Sequence, residues 1–178
     1  DFLQRYADKK LDEFNCLYDD QQSFSACWYN DIVMSTILDL KLKRVEQESK
    51  LKLFPSYAYW RYYVFGGTLK DHTDRPACEV SVTANIKKYD DWPMIVENSE
   101  FYLSEGDAIL YAGCVHQHSR PGIYKGDGMA QVFFHYVDQN GPFAHHAGDD
   151  YKNKTGQKYS ESDNEIKIKL REEYVKSR

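Results

Sequence analysis

Apolar and polar residues alternate along this chain in a way that separates a β-rich middle from two helical ends. Between residues 57 and 137, short stretches rich in β-branched and aromatic residues are separated by turn residues, which is typical of strands. Apolar residues with helical spacing predict a helix over residues 30–48 and another over residues 162–176. The pattern therefore predicts a mainly β fold, a barrel or a sandwich, with flanking helices.

Seven stretches of the middle region predict strands, and residues 1–28 show no clear period. Gly66 and Gly67 separate the first two strands and predict a turn or a bulge there. A single domain of residues 1–178 is expected, with a helical N-terminal part (1–54), a β core (55–140), and a C-terminal loop and helix (141–178). The predicted strands are residues 56–65, 68–74, 78–86, 94–96, 100–103, 108–112 and 129–137.

Composition narrows the function classes. The net charge is −5, and a general nucleic-acid binder usually carries a basic face, so nucleic acid is an unlikely partner. No apolar run reaches the length of about 20 residues that a membrane span needs, and no signal pattern is present at the start. The four cysteines, Cys16, Cys27, Cys78 and Cys114, form no CxxC pair, so reduced thiols and a cytoplasmic location are expected.

One imidazole and one carboxylate are two residues apart on a predicted strand. His72 and Asp74 would therefore point to the same face. A second imidazole from a distant segment, His118 or His116, would complete a set of three ligands. Two histidines and one carboxylate, with the other positions open, are the ligands of non-heme Fe(II) oxygenases.

Four segments in this order resemble the Fe(II)- and 2-oxoglutarate-dependent dioxygenase superfamily, and above all its prolyl 4-hydroxylase-like branch. They are Arg61-Tyr62-Tyr63-Val64-Phe65-Gly66-Gly67, His72-Thr73-Asp74, Gly106-Asp107-Ala108-Ile109-Leu110-Tyr111, and His118. The resemblance covers residues 55–140. It implies a double-stranded β-helix (jelly roll) with Fe(II) at its open end, held by His72, Asp74 and His118. His118 is preferred over His116 because a glycine five residues before and an arginine two residues after resemble one subgroup.

The resemblance also implies 2-oxoglutarate as cosubstrate, dioxygen as oxidant, and hydroxylation with release of succinate and CO2. Relatives often hold the far carboxylate of the cosubstrate with a cation on the last strand, but Gln131 and its neighbours there carry no positive charge. Arg120 is the preferred replacement, because it follows His118 by two residues and offers a planar fork to a carboxylate. Lys87 is the second candidate. Tyr63 is at the position where relatives often place a tyrosine hydroxyl on the cosubstrate.

The substrate is less clearly indicated. The resemblance suggests a peptidyl residue or a small molecule, and the last strand lacks the paired arginines of the nucleic-acid demethylases. Tyr59 and Arg61 share a strand face with Tyr63 and are candidate substrate contacts. Arg75 is a third candidate, with a salt bridge to Glu79 as its alternative role. The sequence does not determine the oligomeric state.

Two other functions use the same residues. A zinc hydrolase could employ the same two histidines and aspartate, since zinc also accepts nitrogen and carboxylate ligands, but no separate general base stands out. A non-catalytic jelly-roll binding module is the second alternative. The absence of a cation from the last strand favours it.

Overall fold

The structure, a computed structural model, describes residues 2–12, 22–149 and 160–178. It contains three helices and eight strands in these residues, together with two short 3-10 turns at Pro76–Cys78 and Ala144–His146. The helices are α1 (Phe2–Asp12), α2 (Ile32–Ser49) and α3 (Glu161–Lys176). The strands are β1 (Gln22–Tyr29), β2 (Leu53–His72), β3 (Val80–Lys88), β4 (Met94–Val96), β5 (Ser99–Phe101), β6 (Ala108–Tyr111), β7 (His118–Arg120) and β8 (Met129–Asp138).

The strands form one antiparallel sheet that curls into a half-barrel. Its order is β5-β4-β7-β2-β8-β3-β6, and β1 pairs with β2 outside this path. Because the sheet curls, the alternate side chains of each strand face a common interior. The predicted fold class, a mainly β jelly roll with flanking helices, is confirmed.

Strand β2 is the longest element of the sheet and changes partners along its length. Its middle part pairs with β1 on one side and β8 on the other, and its last part pairs with β7. Gly66 lies between these parts with φ of 87°, a left-handed conformation that glycine adopts without strain. The Gly66-Gly67 pair is thus a bulge inside one strand. The continuation of β2 beyond it places His72 directly opposite His118 of β7.

Helix α2 covers one face of the sheet. Its N-cap is Asp31, whose carboxylate accepts hydrogen bonds from the backbone N–H groups of Val33 (3.0 Å) and Met34 (3.3 Å). Met34 and Leu38 are buried in the main core with aromatic and aliphatic residues of β2 and β8. The helix predicted over residues 30–48 is confirmed, with its bounds moved by one or two residues.

Helix α3 packs at the other end of the sheet. Ile166 and Leu170, two residues of the predicted apolar stripe, contact the small cluster of Cys114, Val137 and Phe143. Its N-cap is Ser160, whose hydroxyl accepts a hydrogen bond from the backbone N–H of Asp163. Residues 150–159 of the predicted C-terminal loop and helix (141–178) lie outside the described residues.

Three elements, α1, β1 and β7, were not predicted from the sequence pattern. The N-terminal part, expected to be helical over residues 1–54, contains β1 as well as α1 and α2, and β2 already begins at Leu53. No strand was predicted between residues 112 and 129, where β7 lies, because its three residues His-Ser-Arg have no apolar alternation to mark them. None of the helices in the described part of the chain has the length and apolar character that a membrane crossing requires.

Two leucines on α2 provide a matched test of this packing. Leu38 is 4% exposed and Leu40 is 74% exposed. We expect Leu38→Ala to lower the free energy of unfolding by about 2–5 kcal/mol, because it leaves a cavity in the core. Leu40→Ala should change it by no more than about 0.5 kcal/mol. Urea denaturation of both variants measures the difference, and equal losses would contradict the described packing of α2.

Candidate metal centre

Two imidazole nitrogens and one carboxylate oxygen meet where β2 ends and β7 begins. The Nε2 atom of His72 lies 3.5 Å from Oδ1 of Asp74, and the Nε2 atom of His118 lies 3.4 Å from the same oxygen. All three ligand atoms lie within 4.8 Å of one another, which is close enough to share one ion. The structure thus brings together the three residues that the sequence resemblance implied.

Hydrogen bonds to the backbone orient both imidazole rings. The Nδ1 atom of His72 lies 2.7 Å from the carbonyl oxygen of Lys70, and Nδ1 of His118 lies 3.0 Å from that of His116. A carbonyl only accepts, so each Nδ1 carries a proton, and Nε2 is the ring nitrogen that faces Asp74. A backbone carbonyl on the second ring nitrogen is a common support for histidines that bind metals.

The Asp74 carboxylate is fixed by its surroundings. Its backbone N–H donates to the carbonyl oxygen of Gly113 (2.9 Å), and its side chain is largely buried. Burial alone would raise the pKa of Asp74, but the neighbouring His118 and His72 hold that pKa below its usual range. Asp74 is therefore ionised at neutral pH, as a metal ligand must be.

The alternative ligand His116 is placed elsewhere. Its ring is half-buried and stacks at an angle on Tyr174 of α3, with 4.7 Å between ring centroids. Only its backbone carbonyl contributes to the site, as the acceptor that orients His118. The geometry therefore favours His118 over His116 as the third ligand.

A cavity of about 470 Å³ opens beside the three ligands. Its walls are mainly aromatic, and two arginines, Arg61 and Arg75, reach it. The candidate substrate residue Tyr59 and the candidate cosubstrate residue Tyr63 both line it, as the shared strand face predicted. The aromatic lining consists of Tyr29, Tyr57, Tyr59, Tyr63, Tyr111 and Phe133.

Arg75 is held in a network at one side of the cavity. Its guanidinium forms a salt bridge with Asp149 and donates to the hydroxyl groups of Tyr29 and Tyr57. The alternative pairing with Glu79 is wrong, because the Glu79 carboxylate accepts instead from the backbone N–H of Asp138 at 2.7 Å. The charge of Arg75 is thus neutralised by Asp149, and its side chain is held in place at this side of the cavity.

Arg120 is buried behind the cavity wall. Its guanidinium donates to the carbonyl of Trp92 and the side-chain oxygen of Gln131, and its charge lies near the Tyr63 and Tyr111 hydroxyl groups. Among the described residues, no carboxylate lies within salt-bridge distance of Arg120, and its Nε atom has no hydrogen-bond acceptor. Burial lowers the pKa of Arg120 to about 10, so it remains charged at neutral pH.

The second candidate for binding the cosubstrate, Lys87, does not line the cavity. Its ammonium group lies 2.8 Å from the Asp8 carboxylate of α1 and over the ring of Tyr89. Lys87 is not in the cavity lining because Asp8 of α1 pairs with it elsewhere. Helix α1 was not predicted from the sequence, so this partner was not expected.

Two buried residues beside the centre were not assigned from the sequence. His135 of β8 lies with its Nδ1 2.9 Å from the Ser81 hydroxyl, and that hydroxyl is 3.5 Å from Oδ2 of Asp74. Burial lowers the pKa of His135 to about 4, so its imidazole is neutral. His135 shares the inward face of β8 with Phe133 and Gln131, and this alternation was the available signal.

Comparison with known proteins gives similarity in structure alone. No family model and no curated protein sequence matches this chain. A prolyl-4-hydroxylase from Pseudomonas putida aligns with 75% of this chain and 83% of its own length, at 12% identity and a TM-score of 0.53. A 2OG-Fe(II) oxygenase family oxidoreductase from Burkholderia pseudomallei gives 16% identity and a TM-score of 0.48, over 60% of this chain and 58% of its own. The match to the hydroxylase shows a shared fold.

The choice between the two histidines is testable by metal binding. We expect His118→Ala to weaken Co²⁺ or Fe²⁺ binding at this centre by at least about 10–100-fold, because it removes a ligand. Mutation of a residue that only hydrogen-bonds to a ligand already lowers metal affinity by about that factor. His116→Ala keeps the backbone carbonyl that orients His118 and should bind as the unmodified chain does. Anaerobic titration followed by absorption measures both. Loss of binding in His116→Ala with retention in His118→Ala would reverse the assignment.

Gly113 is a position where any side chain would disturb the site. A β-carbon there would lie 2.3 Å from the Ser81 hydroxyl, 2.6 Å from the Cys78 carbonyl oxygen and 2.7 Å from Oδ2 of Asp74. Gly113→Ala should therefore displace Asp74 and weaken metal binding about 10–100-fold.

Gly122→Ala is the matched control for this substitution. The control position has φ of +58° and open space around it, so alanine costs about 1–2 kcal/mol of stability without reaching the ligands. Metal titration and urea denaturation of both variants separate the two effects. Equal metal affinity in both variants would contradict the role of Gly113.

Proposed function

We propose that this protein is a non-heme Fe(II)- and 2-oxoglutarate-dependent oxygenase that hydroxylates a peptidyl residue or a small molecule. The observation that carries the proposal is the convergence of His72, Asp74 and His118 on one point at the wall of an aromatic cavity. Three protein ligands leave positions open for a keto acid and dioxygen, which is the arrangement of non-heme Fe(II) oxygenases. When bound, the iron, the keto acid and dioxygen would supply the oxidising chemistry, with succinate and CO2 as by-products.

The surroundings of Arg120 support an anionic cosubstrate. A buried guanidinium without a carboxylate partner is costly, and a ligand carboxylate would relieve that cost. Tyr63 and Tyr111 line the cavity, and Arg120 lies next to both of them. A carboxylate bound at this end of the cavity would therefore contact the two tyrosines and lie close to the guanidinium. We assign the far carboxylate of 2-oxoglutarate to Arg120 and Tyr63, with Arg61, which lines the cavity, as the competing cation.

The chain's own residues would position the substrate from the opposite side of the cavity. Tyr29 and Tyr57 stack with 4.6 Å between ring centroids, and Arg75 lies over the Tyr57 ring at 4.2 Å. This rigid edge, together with Tyr59, would orient a substrate and exclude water from the ligands.

The three described cysteines are free thiols, which supports a reducing, cytoplasmic location.

Turnover without substrate tests the function. We expect the chain with Fe²⁺, 2-oxoglutarate and dioxygen to form succinate slowly, and Asp74→Ala to form none because a ligand is lost. Zinc in place of iron should give no succinate. A non-catalytic binding module would bind metal without forming succinate under any condition, and a zinc hydrolase would show no dependence on iron. Either result would contradict the proposal.

Binding of 2-oxoglutarate tests the assignment of Arg120. We expect Arg120→Ala to weaken binding to the Mn²⁺-loaded protein by about 30-fold or more, since truncating one partner of a buried charge pair costs about 2–5 kcal/mol. Arg120→Lys should lose less, because it keeps the charge but not the fork. Lys87→Ala is the control, since its partner is Asp8. Calorimetric titration measures all of these. A larger loss in Arg61→Ala than in Arg120→Ala would transfer the role to Arg61.

A further inference from the structure

A second group of metal-ligating side chains lies outside the centre described above and shares no residue with it. His145 and His146 form part of the short 3-10 turn Ala144–His146 that follows β8, and Asp163 lies in the first turn of α3. The Nε2 atom of His145 lies 3.2 Å from Oδ1 of Asp163, and Nε2 of His146 lies 3.3 Å from Oδ2. The ligand atoms of all three residues lie within 4.8 Å of one another.

The donor types and their spacing fit a zinc ion. Zinc binds histidine nitrogen and carboxylate oxygen at about 2.0–2.1 Å, so two ligands of a tetrahedral ion are about 3.3–3.4 Å apart. The Nε2 atoms of His145 and His146 both lie 3.3 Å from the same oxygen, Oδ2 of Asp163. A direct charge-assisted hydrogen bond between imidazolium and carboxylate would be shorter, at about 2.7–2.9 Å. The three side chains are thus spaced as ligands of one ion.

Burial and charge are also suitable. Asp163 is only 4% exposed, so its carboxylate lies inside the protein beside the two imidazoles. An ionised carboxylate and a neutral imidazole are the forms that bind metal. The His145 side chain is 57% exposed, so the fourth position would face solvent and take a water molecule.

We propose that His145, His146 and Asp163 bind a structural zinc ion that fixes the start of α3 to the turn after β8. The helix beyond this point contacts both segments that carry the ligands of the first centre. Lys167 donates to the carbonyl oxygen of Thr73 (3.3 Å), and Arg171 donates to the Val115 carbonyl and the Gln117 side chain (both 2.9 Å). Zinc bound at the start of α3 would therefore fix the helix whose side chains contact both of these segments.

Zinc stoichiometry of the full chain tests this proposal. After chelator treatment, the unmodified chain should bind two equivalents of Zn²⁺ by calorimetry, because both centres accept it. His145→Gln should bind one equivalent, His118→Ala should bind one, and the double variant should bind none. His116→Gln is the control, because it removes a histidine that contacts α3 outside the cluster, and it should still bind two.

His145 is the informative position because its exposed side chain can be replaced without disturbing the core. Zinc should also raise the melting temperature of His118→Ala, but not that of the double variant His118→Ala/His145→Gln. A His118→Ala variant that binds no zinc, or a His145→Gln variant that binds as many equivalents as the unmodified chain, would overturn the second site. Because His118→Ala isolates the cluster, the result does not depend on whether the first centre is an oxygenase.

Discussion

The cross-strand pairing of His72 with His118 is the contact on which the first centre depends. It exists because β2 continues past the bulge at Gly66 and changes its partner from β8 to β7. A slip of β7 by one residue would turn His118 to the opposite face of the sheet, away from His72. Backbone carbonyls two residues before each histidine then fix the rings, so the site is built from main-chain geometry as much as from side chains.

Charge in the interior is organised around the same point. Asp74 is balanced by two imidazoles, and Arg75 is neutralised by Asp149 and aromatic hydroxyl groups. Arg120 differs, since the described residues provide it with only neutral acceptors. An interior charge without a charged partner is costly, which is the basis of the proposal that Arg120 binds an anionic ligand. In the proposed function, the three candidate metal ligands and this arginine would hold a keto acid.

The sequence predicted the parts of the structure that follow from local periodicity. The two-residue spacing of His72 and Asp74 placed both on one side of a strand end, and the helical stripe of α2 was correct to within two residues. Features that depend on distant contacts were not predictable. The pairing of Lys87 with Asp8 was not predictable because Asp8 belongs to a helix without a clear sequence pattern, and β7 is too short to show alternation. The meeting of two histidines with Asp163 likewise results from tertiary packing of α3.

Anaerobic titration of the Fe²⁺-loaded protein with 2-oxoglutarate tests the central claim most directly. A keto acid that chelates iron held by two histidines and one carboxylate gives a visible metal-to-ligand charge-transfer band. The account predicts that this band appears and saturates in the unmodified chain, and that it is absent from Asp74→Ala. If iron binds to the intact site and no band develops at saturating 2-oxoglutarate, the cavity does not serve an oxygenase of this type.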